Sequence, residues 1–158
     1  MCPNQILRNA ILDITQRPGI TELAAEMAVH GVSRDAPVRS AMAMLGDRWS
    51  TLILLVLADS KLRHTELKSL LIQLSSEQSI SQRILTQKLR RLERDGFVSR
   101  LAESGPAPKV TYDLTELGRS FHAQLRRLID WINSNETAIR QSRVRYEESN
   151  LEDGLRNS

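Results

Sequence analysis

The stretch SQRILTQKLRRLERDG (81–96) holds the side chains of this chain best suited to an external chemistry. At about 100° per residue, Leu89 and Leu92 fall within about 40° of Leu85, while Arg83, Gln87, Arg90 and Arg94 gather on the opposite side. The pattern is an amphipathic helix with an apolar side and an outer stripe of guanidinium and amide groups. A guanidinium matches the O6/N7 edge of guanine, and a glutamine amide matches the N6/N7 edge of adenine. Gln82, Arg83, Thr86 and Gln87, in the N-terminal half, are therefore the candidates for reading base edges. Arg90, Arg91, Arg100 and Lys109 are the candidates for phosphates, contacts that set register and make affinity salt-dependent.

A basic helix face is usually only a solvated face, so the distribution of charge has to decide. Residues 81–109 carry seven Lys/Arg against three Asp/Glu, a local surplus of +4 that exceeds the +3 of the whole chain and leaves the remainder slightly acidic. Such concentration is the footprint of a polyanion-binding surface. Two bland roles stay open within it: Arg91 paired with Asp95, and Lys88 lying over the apolar side.

The elements around this helix must hold it in place. Ser81 is suited to cap its first turn, and Gly96 to end it with a positive φ. Upstream, Thr65 opens a helix with Leu67, Leu70 and Leu71, and a polar turn QLSSEQS (73–79) separates the two. Helix, turn and basic helix is the order of a helix-turn-helix, with a longer turn than usual. Downstream, FVSRL (97–101) and VTYDL (110–114) alternate apolar and polar residues around a tip containing Gly105, Pro106 and Pro108, which predicts a two-stranded hairpin. A basic helix followed at once by a hairpin is a winged helix.

Further upstream, Pro37 starts a short helix with Val38, Ala41, Met42 and Leu45 on one face. Asp47 caps the next, whose run Trp49, Leu52, Ile53, Leu55, Val56 and Leu57 predicts a central core helix with Trp49 as a packing anchor. Residues 60–64 form a brief extended link. Residues 1–35 hold two short amphipathic patterns, Ile6 to Ile14 and, opened by Thr21 after the break at Pro18-Gly19, Leu23 to Ala28. At the other end Thr115 opens a long helix in which Leu117, Phe121, Leu125, Leu128 and Ile132 recur at three- and four-residue steps. Such a stripe needs a partner, and a second copy of the helix is one. Beyond Asn135 the chain is polar, and 146–158 is expected to be a flexible tail.

Composition narrows the class. With 158 residues, 41% hydrophobic and 26% charged, the chain suits one globular domain with appended helices. No apolar run approaches the roughly 20 residues that span a bilayer, and the N-terminus lacks a secretory pattern, so a cytoplasmic protein without membrane partners is expected. A single cysteine, Cys2, excludes an intramolecular disulfide and a Cys-rich metal cage. His30, His64 and His122 stand in separate elements without metal-ligand spacing, and neither a Gly-rich phosphate loop nor a set nucleophile is present. No catalytic residue, metal or cofactor is therefore expected, and His64 and His122 read as structural or exposed.

The blocks PVRSAMAMLGDRWSTLILLVL (37–57), LRHTEL (62–67), ISQRILTQKLRRLERDGFVSR (80–100) and PAPKVTYDLTELGRSF (106–121), in this order, resemble the HxlR-type transcriptional regulators, a branch of the MarR-like winged-helix repressors of bacteria. The resemblance covers 36–131. It implies a homodimer that binds palindromic operator DNA through a helix in the major groove, with the wing on the flanking backbone. Many members carry a cysteine before the first Pro as a sensor; here that residue is Ala36, which has no thiolate, so the family's redox switching is not expected. Related folds often bind an inducer between the dimer helices and the winged domain, but no polar constellation here identifies a small-molecule effector.

The expectation is thus a mainly α (α+β) fold: an N-terminal helical extension over 1–35, a winged helix-turn-helix domain over 36–114, a dimerisation helix over 115–145 and the tail. The function expected is that of a dimeric, sequence-specific DNA-binding transcriptional regulator acting as a repressor. The alternative is a winged helix used as a protein-interaction module, with the basic helix docking an acidic partner.

Overall fold

In the computed structural model, residues 18–31, 33, 36–75, 79–103 and 109–156 are described. The first amphipathic pattern, Cys2 and the wing tip with Gly105, Pro106 and Pro108 lie outside them. The chain divides between Thr51 and Leu52 into two compact units.

The first unit holds α1 (Pro18–His30), α2 (Pro37–Leu45) and the start of α3 (Arg48–Leu57). α1 is described from Pro18, so Pro18-Gly19, expected from sequence as a break, and the residues before the expected Thr21 start are helical. Proline is favoured in a first helical turn, where its missing N–H costs nothing, and this preference sets the start of α2 at Pro37. Asp47 caps α3 as expected: its carboxylate accepts the Ser50 N–H at 3.3 Å and the Ser50 hydroxyl, which satisfies the buried Ser50. Trp49 is half-buried with the Arg48 guanidinium 4.8 Å from its ring centroid.

The second unit continues through α3 to β1 (Leu62–Arg63), α4 (His64–Leu74), α5 (Gln82–Arg94), β2 (Val98–Glu103), β3 (Lys109–Leu114), α6 (Glu116–Ser134) and α7 (Glu136–Arg156). Its core is aliphatic: Ile53, Leu54 and Leu57 from α3, Leu67 and Leu71 from α4, and Leu85, Leu89 and Leu92 from α5 are all at most 1% exposed. The α3 run is thus the core helix that its composition predicts.

The wing hairpin pairs β2 with β3 from Val98↔Leu114 to Glu103↔Lys109, matching the predicted strands within one or two residues. The link expected over 60–64 is in addition a third strand: β1 pairs antiparallel with β3, giving the order β1-β3-β2. Two residues are too few to show an alternation, so their sequence could not announce a strand.

The C-terminal region departs most from expectation. The single helix expected over 115–145 is two, α6 and α7, meeting at Asn135, and the segment expected as a tail continues as helix from 146 to Arg156. A polar composition without core contacts reads as frayed chain, whereas Glu, Arg and Gln are also good helix formers and Glu136–Arg140 pairs at one-turn spacing, 2.6 Å apart.

Candidate nucleic-acid interface

Helix α5 is delimited by the residues expected to delimit it. The Ser81 hydroxyl accepts the Ile84 N–H at 3.2 Å, relieving an unpaired first-turn donor. At the other end Phe97 N–H donates to Leu92 O at 2.9 Å and Gly96 N–H to Glu93 O at 3.0 Å, while Gly96 takes φ +79°. This is a Schellman ending, which requires a left-handed residue after the cap.

The ending is locked to the start of α6. Thr115 donates its hydroxyl proton to Gly96 O at 2.6 Å, accepts the Gly118 N–H at 3.0 Å to cap α6, and donates its own N–H to Phe97 O at 3.1 Å. A Cβ on Gly118 would stand 2.0 Å from Phe97 O, so only glycine permits this approach. The Phe97 and Phe121 rings pack at 5.0 Å beside it. Sequence periodicity gave no hint that Gly118 mattered; a glycine inside an otherwise strong helix pattern was the one available signal.

With its apolar side in the core, α5 turns the opposite side outward. Gln82, Arg83, Gln87 and Arg90 are exposed, Thr86 is half-buried, and these five line one shallow concavity on the helix surface. The structure therefore brings the four candidate base readers together with one of the candidate phosphate ligands. Arg100 and Lys109 are exposed on β2 and β3. Arg91 is the most engaged of the four backbone candidates, 37% exposed with its Nε 4.0 Å from Asp95, which also takes the Arg94 guanidinium at 2.8 Å. Exposed pairs of this kind contribute little and are readily exchanged for a phosphate.

One participant was missed at the level of sequence. His64, at the start of α4, places Nε2 3.2 Å from Thr86 Oγ1 and its ring 6.5 Å from that of Tyr112. Burial, and then the Lys68 ammonium on the same helix, hold its pKa below the ordinary histidine value. The contact spans 22 residues and two elements, so no local spacing could reveal it. The backbone entry to α4 is fixed by Glu66, whose carboxylate accepts the Arg63 N–H at 2.7 Å.

The residues expected at a dimer seam separate into two sets. Leu125 is 4% exposed and Phe121 packs on Phe97, both within their own chain. Leu117, Leu128 and Ile132 are exposed, as is Trp131, which lines an open concavity with Ile139, Arg143 and Tyr146 where α6 meets α7. Among the described residues no cluster of His, Cys, Asp and Glu could hold a metal ion, and no single helix is long and apolar enough to cross a membrane.

A capped, cationic helix followed by a two-stranded wing whose β3 also pairs with β1, all built on an aliphatic helical core, defines a winged helix-turn-helix protein. Residues 44–140 match the family model described as HxlR-like helix-turn-helix, and the chain belongs to that family of transcriptional regulators, which are not enzymes. It is 38% identical over 94 residues to the uncharacterized HTH-type transcriptional regulator YtcD of Bacillus subtilis, a match that covers 60% of this chain and 70% of that one. Among solved structures, the redox regulator HypR in its reduced form superposes with a TM-score of 0.57 at 32% identity, over 67% of this chain and 99% of that one. A transcriptional regulator of the MarR family from Enterococcus faecalis V583 gives 0.54 at 26% identity, over 71% and 94%.

Proposed function

We propose that this transcriptional regulator acts in the cytoplasm as a homodimer that binds a palindromic operator and represses transcription. The observation that carries this reading is the division of α5: its leucines are used up by its own core, and five of the polar and cationic side chains left outside converge on one concavity. Gln82, Arg83, Thr86 and Gln87 meet base edges from the major groove, where donor and acceptor patterns distinguish every base pair. Arg90, Arg91, Arg100 and Lys109 hold the phosphates on either side, with the wing beside the flanking backbone.

The second half of the proposal rests on α6. Leu117, Leu128, Trp131 and Ile132 leave an apolar face exposed on a helix anchored to the end of α5, and a matching helix from a second copy would cover it. A dimer built that way presents two α5 helices to two half-sites.

Selection of bound duplexes from a random pool tests both halves. The expected result is an inverted repeat with half-sites about 10 base pairs apart, or a multiple of that, bound at least about a thousandfold more tightly than a scrambled duplex at physiological salt. Equal, weak binding to every duplex would overturn the proposal and favour docking of an acidic protein.

A further inference from the structure

One polar contact runs from the outward face of α5 back into the helix beneath it. Thr86 sits in the base-reading set, yet its hydroxyl is also within hydrogen-bond distance of His64 Nε2, at 3.2 Å. Resting on the base-reading role of α5, we propose that His64 is a positioning residue for specificity: its neutral ring accepts the Thr86 proton, and so fixes what Thr86 presents to the duplex.

The chemistry follows from counting protons. A hydroxyl has one proton and two lone pairs, and a neutral imidazole with its proton on Nδ1 has a free lone pair at Nε2. With the Thr86 proton given to Nε2, the oxygen lone pairs and the methyl group remain outward. That surface suits the amino group of adenine or cytosine, or the methyl of thymine. When the ring takes a second proton, Nε2–H must donate, Oγ1 must accept, and the Thr86 proton is released outward, where it suits O6 or N7 of guanine or O4 of thymine. One proton on His64 thus inverts the hydrogen-bonding sense of a residue in the groove.

The surroundings set the balance between these states. On α4, Lys68 disfavours a second positive charge, and the Glu66 carboxylate is occupied by the Arg63 backbone N–H. On β3 the facing group is the Tyr112 ring; on β2, Arg100 lies directly across from Tyr112 in the ladder; on α5, Arg83 and Arg90 flank Thr86 along the helix surface. Burial, and then the Lys68 ammonium, hold the His64 pKa below the ordinary histidine value and so keep the free protein's ring neutral near pH 7. Phosphates of a bound duplex act in the opposite direction, so the discrimination is expected to depend on pH.

The test uses the full chain and the duplex it selects, with each base pair of the half-site varied in turn, at about pH 8 and about pH 5.5, either side of the ordinary histidine range. At one position the wild type is expected to change its base discrimination about fivefold or more between the two pH values, the equivalent of one hydrogen bond. H64A should abolish that change and lose discrimination at that position alone. T86V should do the same, H64A/T86V should be no worse than T86V, and H64Q should keep discrimination at the higher pH but lose the response. A uniform weakening of all duplexes by H64A, or a pH response that survives it, would overturn the proposal. Failure of the wild type to prefer any duplex would remove the base-reading role and this one with it. NMR of the protein without DNA tells the two failures apart: Thr86 signals should follow the His64 ring titration, and their indifference would show that the contact itself is missing.

Discussion

Helices α5 and α6 are both amphipathic, and they spend their apolar sides differently. The leucines of α5 are at most 1% exposed, so nothing apolar on that seam remains for an outside partner and its outward face is cationic. On α6, Leu125 goes into the core while Leu128, Trp131 and Ile132 are 44%, 60% and 43% exposed. The difference separates two kinds of partner. A helix whose leucines are satisfied by its own chain offers mainly charge and hydrogen bonds, with Ile84 at 37% as the single exposed large apolar side chain of α5, and so fits a polyanion; one left half-uncovered offers a contiguous apolar face, which fits another helix.

The sharpest way to break this contrast is to cut the two apolar sides in turn. Leu89→Ala leaves a cavity in a sealed core and is expected to cost about 2–5 kcal/mol of stability, read as a lowered urea midpoint. Leu128→Ala should leave the fold of the single chain within about 0.5 kcal/mol and instead raise the dimer dissociation constant, measured by sedimentation. Equal losses of stability would mean that α6 is covered by its own chain. Gly118→Ala comes next: the added methyl must displace the Phe97 carbonyl, loosening the joint between α5 and α6, at an expected cost of about 1–3 kcal/mol in the same unfolding measurement. Ser81→Ala removes one cap from α5 and should cost about 1 kcal/mol, with faster amide exchange confined to the first turn of that helix.

What the sequence made legible follows the range of the interactions involved. The limits of α5 are written in Ser81 and Gly96, each acting on neighbours within five residues, and both were readable. Its buried and outward sides follow from a repeat of 3.6 residues, and they too were readable. The strand β1 was not, because its pairing partner Tyr112 lies 50 residues away and two residues carry no period. For the same reason His64 reads from sequence only as structural or exposed and Gly118 carries no local signal of its role, although both are defined by groups on other elements. The seam on α6 was seen as one stripe of five residues; only packing against Phe97 and the core shows that Phe121 and Leu125 face inward. The helical course of α7 was hidden by the assumption that a polar segment has no order to gain.

The central claim is that the outward face of α5 reads base sequence. Titration of the wild type and Arg83→Ala against the selected duplex and a scrambled one, at physiological salt, tests it directly. The account predicts a loss of about 1–3 kcal/mol on the selected duplex, relaxed preference at one base pair, and a much smaller loss on the scrambled duplex. Equal losses on both would make Arg83 one more phosphate contact and would contradict the claim.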